Sequence, residues 1–157
     1  MSQSLTLDQL LNQEKEHRFT EIDFNAAWEI GKAIRERAAE QNAPVAIEVY
    51  AYGQPLFFAA LPGSTSDNIA WMKRKRNTVL RLGHSSMYAG LNYERTGARM
   101  ELHNFIDQAE FCDHGGSFPL LHTSGAVMGA VSVSGLPAQD DHALVLWGIA
   151  QYLNVKK

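Results

Sequence analysis

The chain has 157 residues, 45% hydrophobic and 20% charged, a balance that excludes a disordered or fibrous polypeptide and suits one globular domain. Its formal net charge of −3 gives no general attraction for nucleic acid or for an anionic membrane. Cys112 is the single cysteine, so no internal disulfide forms; no apolar run is long enough to span a bilayer, and Met1-Ser2-Gln3-Ser4-Leu5 lacks the basic and apolar regions of a signal peptide. A cytoplasmic protein is the expectation.

In chain order, Thr6 or Asp8 caps a first helix through Leu7, Leu10 and Leu11 to about His17. Its apolar stripe is short and its rear half charged, so residues 1–18 read as an N-terminal helical arm and 19–157 as one domain. Asp23 then caps a stronger amphipathic helix whose apolar face is Phe24, Ala27, Trp28, Gly31, Ile34 and Ala38. Asn42 and Pro44 stop it. The branched and aromatic run from Val45 to Tyr52 is a strand, with Gly53-Gln54 a two-residue turn into a second strand, Leu56 to Ala60. Ser66 or Asp67 caps a helix to about Leu82; Gly83 interrupts it, and Ser85 or Ser86 caps a shorter one through Met87, Leu91 and Tyr93. Residues 99–113, with Met100, Leu102, Phe105 and Ile106, fit a helix or an irregular strand equally well. Strands near 117–123 and 126–134 surround Ser124-Gly125, and a helix runs from about Ala138 to Leu153 with Leu144, Trp147, Ile149 or Gly148, and Leu153 inward. Adjacent strand pairs flanked by helices argue for an α+β sandwich, an antiparallel sheet of about five strands with helices against it.

The pattern Gly115-Gly116-x-x-Pro119, Gly125-x-x-x-Gly129-Ala130-Val131-x-Val133-Ser134-Gly135, then Asp141-His142, resembles the GlcG/HbpS-like haem-degrading domain family. Within it the chain is similar to a branch of conserved, largely uncharacterised bacterial and fungal proteins, a likeness shared by Trp71-Met72-Lys73-Arg74-Lys75-Arg76-Asn77 and Gly83-His84-Ser85-Ser86. The resemblance covers roughly Phe19 to Leu153. It implies a profilin-like fold, a homo-oligomer and haem as the family-suggested ligand, and it transfers no catalytic residue by position.

Four features carry the chemistry. Lys73 to Arg76 with Arg81 concentrate positive charge, but on a helix only Arg76 falls in line with Ile69, Met72, Val79 and Leu80. An inward arginine requires an anion, supplied either by the protein itself or by a ligand. The helix start at His84-Ser85-Ser86 is a natural anion site, a role compatible with capping by either serine. The histidines, His84, His103, His114, His122 and His142 among them, match no compact metal motif, so no metal site is expected, while a lone axial histidine to haem needs no motif. Asp141-His142 are adjacent on a helix and do not face each other; Asp140 and Asp141 there complement the helix dipole. The Walker, Rossmann and nucleophile-elbow patterns are absent.

These residues compose one expected ligand site. Lys75 and Arg76 neutralise charge, Ser85 and Ser86 donate hydrogen bonds, and His84 or His114 supplies a polar or ligating group beside the Gly115-Gly116 turn. The ligand is a small anion, with haem the candidate cofactor. The alternative is a non-enzymatic homo-oligomeric adaptor for a protein partner. Whether the chain is an enzyme stays open at this point.

Overall fold

The computed structural model describes residues 4–156; Met1-Ser2-Gln3, the front of the expected arm, and Lys157 lie outside them. In order come α1 (Leu7–Glu16), β1 (Arg18–Phe19), α2 (Phe24–Glu40), β2 (Ala46–Ala51), β3 (Gln54–Ala60), α3 (Ser66–Leu82), α4 (Ser86–Thr96), β4 (Ser117–His122), β5 (Val127–Ser134) and α5 (Ala138–Lys156). One five-stranded sheet runs β1-β4-β5-β2-β3. The α+β architecture is as expected, with one difference: β1 pairs with β4 in parallel, so the sheet is mixed.

Local chemistry sets the element ends. Thr6 and Gln9 form a reciprocal capping box on α1, Asp23 Oδ1 accepts from the Ala26 amide at 2.6 Å, and Ser85 Oγ accepts from the Tyr88 amide at 3.1 Å. The start of α3 is set one residue early, where the Asn68 side chain accepts from the Thr65 amide at 2.8 Å. The hairpin turn also moves by one. Ala51 pairs with Gln54, leaving Tyr52 and Gly53 as the loop at φ of 56° and 80°. Two positive φ values make the turn whose twist matches the flanking strands, and Gly53 suits it better than Gln54.

The apolar core lies between α2 and α5 on one side and the sheet on the other. Ile30, Ile34, Ile47, Val49, Phe118, Leu120, Val131, Val133, Val145 and Ile149 form it. Two glycines let layers approach: a Cβ at Gly31 would overlap the Phe57 ring, and one at Gly129 the Tyr50 carbonyl. The expected apolar face of α2 is rotated slightly. Ala26, Ala27 and Ile30 point inward, while Phe24 and Trp28 are 60% and 55% exposed and rest on Tyr52 and Phe57 at the rim. Residues 99–113 form a short 3-10 turn at Met100–Leu102 followed by turns; Met100 is buried, and Phe105 is exposed.

The opposite face of the sheet is polar. Glu48, Ser132 and Ser117 stand in one cross-strand row, under α3. The residues expected to form a site fall on this side.

Candidate functional site

Buried polar groups must be paired, and the face under α3 is built from such pairs. Lys75, 5% exposed, donates to Asp141 Oδ2 at 3.1 Å and to the Val133 carbonyl at 3.3 Å. Asp141 also accepts from the Gly135 and Leu136 amides at 3.3 and 2.9 Å. Burial pushes its carboxyl up from the ordinary range, against the pull of Lys75 and the two amides. Gly116 is a requirement of this arrangement: at φ of 136°, an added Cβ would lie 2.7 Å from Lys75 Nζ and 2.6 Å from the Val133 carbonyl. Arg76 pairs with Glu48 at 2.7 Å and stacks over Tyr50, its centre 4.3 Å from the ring. The anion that Arg76 requires is therefore the protein's own. Ser86 Oγ accepts from the Ser117 amide at 3.0 Å, and Ser132 Oγ donates to Ser117 Oγ at 2.8 Å.

The anion site at the start of α4 is filled from within. Glu14 on α1, 4% exposed, accepts from His84 Nδ1 at 2.8 Å and from the Ser85 amide at 3.1 Å. The Glu14 bond raises the His84 pKa above its ordinary value, with burial opposing it. Ser85 caps α4 while His84 and the Ser85 amide hold the Glu14 carboxylate, so the protein's own anion occupies this start.

A cleft of about 1160 Å³ opens between α1, α4, the segment before β4 and the start of α5. Leu5, Met87, Leu91, Leu146 and Trp147 give it an apolar wall, and Gly115, His114, His17 and His142 also line it. Gln13 organises two of these histidines. Its backbone carbonyl takes His17 Nδ1 at 2.7 Å, and a carbonyl only accepts, so Nδ1 carries a proton and the neutral ring has its lone pair on Nε2. Its side-chain oxygen lies 2.8 Å from His142 Nε2, and with that oxygen accepting, His142 carries its lone pair on Nδ1, which is buried without a partner. Burial lowers the His142 pKa to about 4. A smaller cleft of about 260 Å³ is lined by Lys75, Asp141, Trp71 and His114, whose ring centre is 5.0 Å from that of Trp71. Among the described residues, no group of three or more His, Cys, Asp or Glu side chains is placed to hold a metal ion.

Residues 22–150 match the family model described as haem degrading protein HbpS-like. The chain belongs to that family. A UPF0303 protein of Rhizobium etli is 44% identical over 147 residues, covering 94% of this chain and 89% of the relative. The crystal structure of Ybr137w protein superposes with a TM-score of 0.87 at 29% identity, covering 97% of this chain and 90% of that one. A PduOC:heme complex superposes with a TM-score of 0.69 at 20% identity, covering 82% of this chain and 93% of the other, a likeness of fold.

The HbpS-like fold thus brings together the two segments expected to share a site, since Lys75 abuts Gly116 and Ser86 bonds to Ser117. It does not make one pocket of all of them. Lys75 and His114 share the small cleft, His114 and Gly115 line the large one, and Arg76, His84, Ser85 and Ser86 line neither. Arg76 is paired with Glu48, His84 and the Ser85 amide with Glu14, and Ser86 with Ser117, while the Arg76 Nε is buried without a partner. Sequence reasoning missed His17 and Gln13, and it weighed His142 among the histidines without placing it in the site. Helical spacing offered one signal: Gln13 and His17 are four apart, which is the reach of a side chain to the carbonyl one turn back.

Two outcomes follow. Lys75→Met leaves Asp141 charged and buried without its cation, and should cost about 3–5 kcal/mol in chemical denaturation at neutral pH. His142 has its folded pKa, about 4, below the ordinary 6.5, so an unfolded chain takes up its proton first. Its neutral burial contributes fully above about pH 6.5, and about 3 kcal/mol is lost as pH falls toward 4. The difference in stability between pH 7 and pH 4 should shrink by that amount in His142→Phe, whatever its absolute stability.

Proposed function

We propose that this protein is a cytoplasmic homo-oligomer that binds a haem-type anionic ligand in the cleft beside Gly115, with His17 or His114 as the ligating histidine. The observation that carries the reading is His17. Its Nδ1–H is committed to the Gln13 carbonyl, which leaves Nε2 basic and the ring oriented, and that is the second-shell arrangement of a metal-ligating imidazole. The ring belongs to a cleft whose apolar wall suits a large planar ligand and whose volume is ample for one. Haem, where bound, supplies its own redox chemistry; the chain supplies the apolar wall and the imidazole. Family membership and the haem in the PduOC:heme complex, a structural neighbour, support the choice of ligand.

A hemin titration followed at the Soret band tests this. Binding should shift the band in the wild type, and alanine at the ligating position, His17 or His114, should weaken it at least tenfold. No shift in the wild type, or a shift unchanged in the His17→Ala, His114→Ala double variant, refutes the assignment.

The adaptor reading has its own support in the exposed rim aromatics Phe24, Trp28 and Tyr52, of which Phe24 and Tyr52 stack with ring centres 6.5 Å apart. It expects native mass spectrometry to show subunit contacts that are lost in a Phe24→Ser, Trp28→Ser variant, and protein free of any retained small molecule. Retained haem decides for the first reading.

A further inference from the structure

The cleft has one wall of a different kind from the rest. Its α4, α5 and Gly115 sides belong to the packed body, whereas Ser4, Leu5, Gln13 and His17 come from the α1 segment. The body end of that segment is fixed, because Phe19 of β1 is 2% exposed and pairs with His122 in the sheet. Before it, His17 closes α1 at φ −121° and ψ 67°, outside helical geometry. Beyond that joint α1 packs chiefly on α4 and buries two side chains, Leu10 and Glu14. Its polar attachments are likewise two: Glu14 in the anion site at the start of α4, and Gln13 on His142 of α5. A helix held by one fully buried leucine, the half-buried Leu7 and Leu11 and two polar attachments has little local stability of its own, and segments of that kind open without the core.

We propose that α1 is a hinged lid on the cleft, pivoting at His17 and held shut by the Glu14 carboxylate at His84 and Ser85 and by Gln13 at His142. The inference rests on the reading of the cleft as a ligand site, and it adds how that site admits its ligand. Opening breaks three hydrogen bonds and exposes Leu10. It also frees His17 from the geometry that α1 imposes, so a closed lid and an oriented imidazole are one state.

The charged latch gives the lid a direction with pH. The titratable groups against His84 are Glu14 on α1 and Tyr88 on α4, whose ring centre is 4.6 Å from the imidazole. His84 has its folded pKa raised, so the charged latch is complete below pH 6.5 and is lost as pH rises through the folded value. Only the neutral hydrogen bond then remains.

Hydrogen exchange read by mass spectrometry tests the lid on the full chain, with Glu14→Gln as the variant because it keeps shape while removing charge. After correction for intrinsic rates, peptides within residues 7–16 should exchange at least tenfold faster in Glu14→Gln than in the wild type, with β4, β5 and α5 unchanged. In the wild type the same peptides should lose protection as pH is raised, and Glu14→Gln should show no such trend. Hemin should associate faster with Glu14→Gln. If α1 exchanges only in step with the sheet in both proteins, it is part of the body and the lid is overturned. If it opens but hemin associates at an unchanged rate, its role as a gate is overturned. Hemin that binds neither protein overturns the haem reading alone, and the exchange comparison still decides whether α1 opens.

Discussion

An ammonium group inside a protein must be matched at once by a carboxylate and by hydrogen-bond acceptors, and the Lys75 socket meets that demand by recruiting four separate parts of the chain. Lys75 comes from α3, Asp141 from α5, the Val133 carbonyl from β5, and the room for the ammonium from the absence of a side chain at Gly116. The pair therefore fixes where α3 crosses the sheet and where α5 starts, from opposite ends of the layer structure. Asp141 does a second task, since the same carboxylate holds the Gly135 and Leu136 amides and so sets the corner between β5 and α5. An ion pair of this kind adds little net stability compared with an apolar substitute of the same shape, but it penalises every arrangement in which it is broken.

That constraint explains why charged and hydroxyl residues crowd one face of the sheet while the other is hydrocarbon. Arg76 with Glu48, Ser86 with Ser117, and Ser132 with Ser117 repeat the same solution along α3 and α4. The two inward positive residues of α3, Lys75 and Arg76, are therefore neutralised by the protein's own carboxylates. The cleft on the far side of Gly115 is lined instead by apolar side chains and imidazoles, among them His142 with its buried, partnerless Nδ1.

Much of the fold was legible from the chain because its signals are local. Asp23 and Ser85 cap the helices that their positions suggest, and the branched runs from Ala46 and Val127 form the central strands. Glycine at 53 was legible as a turn, but the register slipped by one because either Tyr52-Gly53 or Gly53-Gln54 closes a hairpin of that length. The anionic partner of Arg76 was legible as a need and not as a residue, since Glu48 is distant in sequence and adjacent only through the strand. The site was less legible for the same reason. Glu14 reaches the start of α4, and Gln13 reaches α5, through contacts that no spacing along the chain encodes. The segment 99–113 was ambiguous in sequence because it forms neither regular element: its geometry follows from Met100 anchoring one end and Thr78 holding Cys112 at the other.

The parallel pairing of β1 with β4 carries a consequence for the order in which the molecule closes. Every other strand meets at least one neighbour across a short antiparallel turn, β2 with β3 and β4 with β5, and such contacts form early because little chain entropy is lost in making them. β1 is two residues long and joins Leu121 and His122 across most of the sequence, so its pairing is rewarded only after β4 is already in place. The topology thus makes the N-terminal strand a late arrival on an otherwise finished sheet. The cleft, whose last wall is carried in by that strand, comes into being only at that step, together with the last piece of the core, Phe19.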